Sequence, residues 1–456
     1  MKRFRTLGAA AIALAALCVP QGQSVRAETV RMTPANMEKA AFVLLRQGRA
    51  EPALALAEAL LTQFPNDPTA LLLKSKAERE LARYPQAVKS ARLSWNHSAT
   101  DQDRYGAALA MAQGLASNGQ RVRAQLWLRR AMEVAPNPVA RRVAETDFAY
   151  VRSRSRLALH FDASIRPSSN VNNGTSADTL WFLGLPFTLS GDARALSGVQ
   201  LGLGARLRYR LTETEVSKTD LRFGVHQQAV TLSKSAKAQA PGAKGSDYAL
   251  SGVELGIDRY WKPNDQGEVV ASLTLGKNWY GGDPMSRYGR VDLTYRHDLN
   301  NDLRLFGAVG AERQRRDDSA QRSATIQTLT FGAARTLANK DVLRLTLSAR
   351  DSKSASSDID HKAFEARLDW AKAAPVWKGH LSLGLSAELR DYDRSRYSAN
   401  GRKDETFGAD LNIAFDQIDY MGFIPVVKIE ASKTQSNIGL YESTTKGIGL
   451  SIQSKF

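Results

Sequence analysis

Few residues in this chain could do covalent or metal chemistry. Six histidines stand at 97, 160, 226, 297, 361 and 380. None falls in a His-Glu-x-x-His or similar metal-binding spacing. The one cysteine, Cys18, lies near the start, so the rest of the chain has no thiol chemistry, no disulfides and no Cys-type zinc sites. Asn173-Gly174-Thr175 matches a glycosylation acceptor in form only. Gly202-Leu203-Gly204 sits in an alternating stretch and does not open a helix, so it is not a phosphate loop. The expectation is a protein that is not an enzyme and uses no cofactor and no metal.

What remains is charge. Arg206, Arg208 and Arg210 form the clearest cluster of one sign, and Arg296, Arg344 and Arg390 stand in similar alternating stretches. Asp162, Glu254, Asp258, Glu388, Asp410 and Glu430 share that setting. If the stretches are strands, residues two apart face the same side, and all these charges line one surface. The two signs nearly balance, whereas a simple anion pore favours one sign. Interleaved opposite charges instead cross-link a lumen. The arginine cluster therefore reads either as a basic patch or as partners for neighbouring carboxylates. The formal charge of +17 is spread over both halves of the chain. Nucleic acid is the usual partner of a basic chain, but Lys2, Arg3 and Arg5 before an apolar run to Pro20 read as an export signal, and an exported protein does not meet nucleic acid. Lipopolysaccharide phosphates or an acidic passenger fit better.

Strands must position these side chains. From about Arg156 the sequence alternates with period two, as in Leu381, Leu383, Leu385, Ala387 and Leu389 against Ser382, Gly384, Ser386, Glu388 and Arg390. About fourteen such segments follow, from 156–166 through 196–211, 267–281 and 402–416 to 444–456. The final stretch alternates Ile448, Leu450 and Ile452 with small and polar residues and closes on Phe456. A terminal aromatic of this kind marks the last strand of an outer-membrane barrel. Short turns such as Leu299-Asn300-Asn301 alternate with longer polar loops such as 233–246. Tyr260, Trp261, Trp377 and Tyr420 are expected at one membrane boundary; Trp279, Tyr280, Tyr288 and Tyr392 are expected at the other.

Ahead of the strands, residues 35 to about 150 carry helical spacing. Breaks at Gln47-Gly48, Pro65 to Pro68, Tyr84-Pro85, Asn118-Gly119 and Pro136 to Pro138 cut this region into helices. Ala53, Ala87 and Ala124 recur at spacings of 34 and 37. That pattern resembles tetratricopeptide repeats, whose small alanine lets paired helices pack closely. Stacked pairs form a concave surface for peptide or protein, with Arg79, Arg83, Arg121, Arg123 and Arg129 as candidate contacts. Lys2, Arg3 and Arg5 before an apolar run to Pro20, then Val25-Arg26-Ala27, read as a signal peptide. Leu17 stands where a lipoprotein signal needs a small residue, so Cys18 is not expected to be lipidated.

The predicted organisation is thus a signal peptide over 1–27, a periplasmic tetratricopeptide-like helical domain over 28–152, and an outer-membrane barrel over 153–456. The fold class is α plus transmembrane β: a short α-helical periplasmic domain followed by a 14-stranded antiparallel outer-membrane β-barrel. Two segments carry a more specific likeness. One opens the barrel, Pro167-Ser168-Ser169-Asn170-Val171-Asn172-Asn173. The other closes it, with Gly422 to Val427 around Pro425, Ser436-Asn437-Ile438, Tyr441 and Lys455-Phe456.

With these residues the chain resembles the surface lipoprotein assembly modulators (Slam, type XI secretion). The resemblance implies a translocator that delivers specific lipoproteins or secreted binding proteins to the cell surface. Its expected partners are that client, outer-membrane lipid and the barrel assembly machinery, with the translocator itself a monomer. It implies that the helical domain holds the client and that the barrel provides the path, opening at the seam between first and last strands. A polysaccharide export porin with periplasmic helical repeats is the alternative, followed by a general porin.

Overall fold

The computed structural model describes residues 32–182 and 185–454. The expected signal peptide and Phe456 lie outside the described residues.

Seven helices come first: α1 Pro34–Arg46, α2 Ala50–Gln63, α3 Pro68–Glu80, α4 Tyr84–His97, α5 Asp101–Ser117, α6 Arg121–Glu133 and α7 Pro138–Ser153. They form three hairpins, with α7 packed on α6. Two kinds of junction alternate. The helices α1, α3, α5 and α7 begin on Thr33, Asp67, Thr100 and Asn137, whose side chains accept hydrogen bonds from backbone N–H groups of the first turn. Within each hairpin the first helix ends on a left-handed residue instead: Gly48, Ala82 and Gly119, with φ of 72°, 58° and 75°. In all three turns the next residue's N–H returns to a helix carbonyl, Arg49 to Leu44, Arg83 to Glu78 and Gln120 to Leu115. The middle break therefore falls at Ala82–Arg83, and Tyr84-Pro85 lies inside the first turn of α4, where proline costs no hydrogen bond. Ala53, Ala87 and Ala124 are each 0% exposed. A larger side chain at any of them would wedge its hairpin apart.

Strands then close a barrel. Their ranges are β1 Leu157–Ser168, β4 Gly198–Glu213, β5 Ser217–Leu232, β6 Leu250–Trp261, β7 Gly267–Tyr280, β8 Asp283–Asp298 and β9 Leu303–Arg316. Then come β10 Ala324–Thr336, β11 Val342–Ser354, β12 His361–Ala371, β13 His380–Tyr392, β14 Arg402–Ala414, β15 Phe423–Ser436 and β16 Ser443–Ser454. These fourteen strands pair antiparallel with their neighbours, and β1 meets β16 to close the ring. A small hairpin, β2 Thr179–Phe182 and β3 Leu185–Thr188, sits in the first loop, and helix α8 Lys234–Gln239 sits in the second. Short strands of this kind carry too little periodicity to be read ahead of the structure.

Leu159, Phe161, Leu203, Phe223, Leu255, Leu275, Leu293, Phe331, Leu347, Phe364, Leu385, Phe407 and Leu450 all point outward and are exposed. In water that surface would be untenable; in lipid it is the expected one. A closed barrel satisfies its backbone internally, which is the condition for crossing a bilayer with strands. Three aromatics expected at the lipid boundary face inward instead. The Tyr288 hydroxyl donates to Glu254 Oε1 at 2.5 Å, Tyr260 carries Lys218 over its ring, and Tyr392 lies between His361 and Arg402. They share parity with the charged face, and parity decides which side of a strand a residue takes. Gly276 makes room for Tyr288: a Cβ there would lie 2.3 Å from the ring.

The end that carries the helices has mostly short turns, but its last two, 372–379 and 415–422, are longer. The far end has longer loops, with one exception at Gly281-Gly282, a tight turn whose φ values of 62° and 95° need glycine.

Candidate functional site

Inside the barrel, charges meet in pairs. Arg208 lies 3.1 Å from Asp220, and Arg210 lies 2.5 Å from Asp220 and 2.6 Å from Glu213. Arg206 faces Asp162 at 3.6 Å. The cause is register. Arg208 and Arg210 stand on β4 opposite Arg222 and Asp220 on β5, so one carboxylate, 1% exposed, serves two guanidinium groups. Arg222 turns to Asp258 at 2.5 Å. Arg296 pairs with Glu268 at 2.8 Å and Arg390 with Glu388 at 2.6 Å. Arg344 lies over the Phe306 ring at 5.9 Å. The cluster at 206–210 thus has its carboxylates close by and is not a bare basic patch. Among the described residues no group of three or more His, Cys, Asp or Glu is placed to hold a metal.

The seam is the irregular part of the wall. Elsewhere the ladders are continuous, apart from single irregularities in β4–β5 and β7–β8. Among the described residues, β1 and β16 match at Ala163–Ile452, Ser164–Ser451 and Ile165–Leu450, and again only at Ser168–Gly447. The Ser169 N–H donates to Lys446 O at 2.9 Å, so odd-numbered residues of β1 face β16. Two residues earlier Pro167 faces β16 as well, and it has no N–H to give.

At the far end, loops tie the two sides of the seam together. Asn170 receives the Gly174 N–H and donates to Gly174 O, both at 2.9 Å. Asn172 accepts from Leu196 N–H at 2.8 Å and donates to Arg194 O at 2.8 Å. Both asparagines act as backbone substitutes that fold the first loop. That loop packs Val171 and Leu196 against Val230, Leu232, Ala236 and Ala240 on one side. On the other, Thr175 Oγ1 donates to Gly439 O at 2.8 Å and the Ser176 N–H donates to Glu442 O at 2.9 Å. Ser436 Oγ donates to Asp404 Oδ1 at 2.7 Å, and Asn437 Oδ1 accepts from Lys403 N–H at 2.8 Å. Arg402 is buried between the rings of Tyr392 and Tyr441, 3.5 and 3.7 Å from their centroids. The opening segment and the Ser436 to Tyr441 part of the closing one therefore shape the loops at the outer end of the seam.

At the helix end, side chains of α6 and α7 join the two parts. Arg129 of α6 lies between Phe148 of α7, at 5.0 Å, and Phe423 of β15, at 4.7 Å. It donates to Met421 O and Ser454 Oγ, each at 2.7 Å. Arg141 pairs with Asp419 at 2.8 Å, and Glu133 Oε2 accepts from Met421 N–H at 3.3 Å. Pro425 stands two residues after Phe423, opposite Ile452. Arg129 is thus a joint to the barrel and not a contact on the open concave face. Its role was hidden in the sequence because its partners lie about three hundred positions away. The turn at 415–422 is the part that α6 and α7 grip.

The profile of the surface lipoprotein assembly modifier family matches residues 169–456. A comparison with curated proteins finds no match. Among solved structures, Acinetobacter baumannii OccAB3 is 9% identical, covering 65% of this chain and 98% of that one, with a TM-score of 0.35. A bacterial polysaccharide outer membrane secretin is 8% identical over 65% of this chain and 98% of its own, with a TM-score of 0.34. The first TPR domain of human RPAP3 is 13% identical over 26% of this chain and 90% of that one, with a TM-score of 0.24. Likeness at this level carries no argument about function. The family match does: it takes in every barrel strand after β1 and all the loops that fold over the seam. The chain belongs to the surface lipoprotein assembly modifier family.

Proposed function

We propose that this protein moves a client, a surface lipoprotein or secreted binding protein, from the periplasm through the outer membrane to the cell surface. The helical domain receives the client on its periplasmic side, and the barrel supplies the route. The observation that carries this reading is the joint. Helix α7 ends at Ser153 and the chain enters β1 at Leu157, while Arg129 holds Met421 before β15 and Ser454 on β16. The helical domain therefore has a foot on each side of the seam, and a tilt of that domain strains the two edges against each other. The ion-paired lumen supports this reading over an export porin, whose lumen would offer one sign of charge to an acidic polymer. No cofactor or nucleotide enters the scheme.

Deleting residues 28–150 tests the role of the helical domain. The expected result is a barrel that still folds and inserts, as judged by heat-modifiable migration on gels, with surface display of the co-expressed client abolished. Display at the intact level in that deletion would show that the helical domain does not handle the client.

A further inference from the structure

The wall is weakest where β1 faces β16 near Pro167, and a side chain spans that place. Arg166 points into the lumen from β1. Its Nε donates to Gln200 Oε1 on β4 at 2.8 Å. Its Nη1 passes over β16 and donates to Glu430 Oε1 on β15 at 2.7 Å. One residue of β1 thereby ties β4 to β15 across β16. The crossing is possible because β16 has no side chains there. A Cβ on Gly447 would lie 3.3 Å from both Glu430 Oε1 and Pro167 O, and one on Gly449 would lie 3.5 Å from Arg166 Cγ. The second carboxylate oxygen, Glu430 Oε2, is held by Lys428 at 2.8 Å, which fixes Glu430 toward the seam.

Backbone and side chains divide the work here. A proline in a strand removes a ladder hydrogen bond and is usual only at edges and bulges. At this seam the pairing lapses at Arg166 and Pro167, with the same register on either side, and a charge-assisted hydrogen bond spans the gap. Ladder bonds are many and cooperative, so a continuous ladder resists local opening. A single ion pair is lost in one event and reforms in one event. The combination is suited to a closure that must release and reseal.

We propose that Arg166 and Glu430 form the latch of the β1–β16 seam, and that the seam opens when this pair separates. The biological use of the opening rests on the translocator reading above, but the latch is testable without a client. Ser164 and Ser451 are direct partners across the seam and face the lumen. They form a pair without mutual ladder bonds, the closer kind of antiparallel pair and the better placed for a disulfide.

The experiment uses the full chain with Ser164→Cys and Ser451→Cys in a Cys18→Ser background, in outer membranes, and measures the rate of oxidative cross-linking. Arg166→Gln and Glu430→Gln are expected to slow it at least several-fold. The charge exchange Arg166→Glu with Glu430→Arg is expected to restore it, and Arg344→Gln, which removes a lumen charge on β11 far from the seam, is expected to leave it unchanged. Heat-modifiable migration shows that each barrel is folded. Cross-linking as fast in Arg166→Gln as in the parent overturns the latch while leaving the translocator reading intact. Slowing by Arg344→Gln as large as by Arg166→Gln also overturns it, since a general loss of lumen charge would then suffice. In cells with a client, the oxidised pair is expected to block display and reductant to restore it. Undiminished display through the locked seam overturns the seam as the route without touching the latch.

Discussion

A guanidinium held between two aromatic rings carries both packing and charge into a small contact. Arg129 has that setting between Phe148 and Phe423. Burial and the nearby Arg152 pull its pKa below the usual arginine value, yet arginine starts so high that it keeps its charge. Glu78 in α3 shows the opposite case. It is buried, it accepts from Ser90 Oγ at 2.7 Å, and burial pushes its pKa above the ordinary carboxylate value. Below the unfolded value of about 4.3 both states carry the proton and nothing is lost. As pH rises through the higher folded value, the folded state must hold a buried charge, and stability falls. Glu78→Gln removes that term. The helical melting transition of the variant, followed by circular dichroism, is expected to lie above the parent's at pH 7 and to converge with it near pH 4. An offset of equal size at both pH values would refute this origin.

At the scale of elements, the three hairpin turns differ in one residue. Gly48 and Gly119 take the left-handed position freely, while Ala82 takes it at φ 58°. An L side chain there costs about 1–2 kcal/mol, part of which glycine gives back through a freer unfolded chain. Ala82→Gly is therefore expected to stabilise the helical domain by roughly 0.5 kcal/mol, read from the same melting transition; a loss of stability would contradict it. The repeat itself was plain in the sequence, because Ala53, Ala87 and Ala124 mark the same packing position each time. Period two likewise placed the barrel strands, as with 267–281 for Gly267–Tyr280 and 402–416 for Arg402–Ala414. What period two cannot supply is partnership. That Asp220 sits between Arg208 and Arg210 depends on the register of β4 with β5, and many registers fit the same alternation. Tyr260, Tyr288 and Tyr392 were misplaced because residue type was weighed above parity. Arg166 escaped notice because its partner lies two strands away across glycines.

At the scale of the whole molecule, an outer-membrane barrel carries a stack of helices that grips the turn before β15 and the end of β16. The same helices run directly into β1. Far-end loops built by Asn170, Asn172, Ser436 and Asn437 cross the seam from the other side. The seam is thus bordered by helices inside, loops outside and an ion pair between, and the family to which the chain belongs acts on surface lipoproteins. The sequence already held the two ends of this arrangement in its family-like segments, but their convergence on one line of the wall is a property of the closed barrel. The most direct test is display of a client. A secreted protein encoded beside this chain would be expressed in a heterologous outer membrane with and without it, and protease accessibility on intact cells measured. The account expects the client to be cleaved at the surface only when this protein is present, and to remain protected in the periplasm otherwise. Equal accessibility in both cells would contradict it.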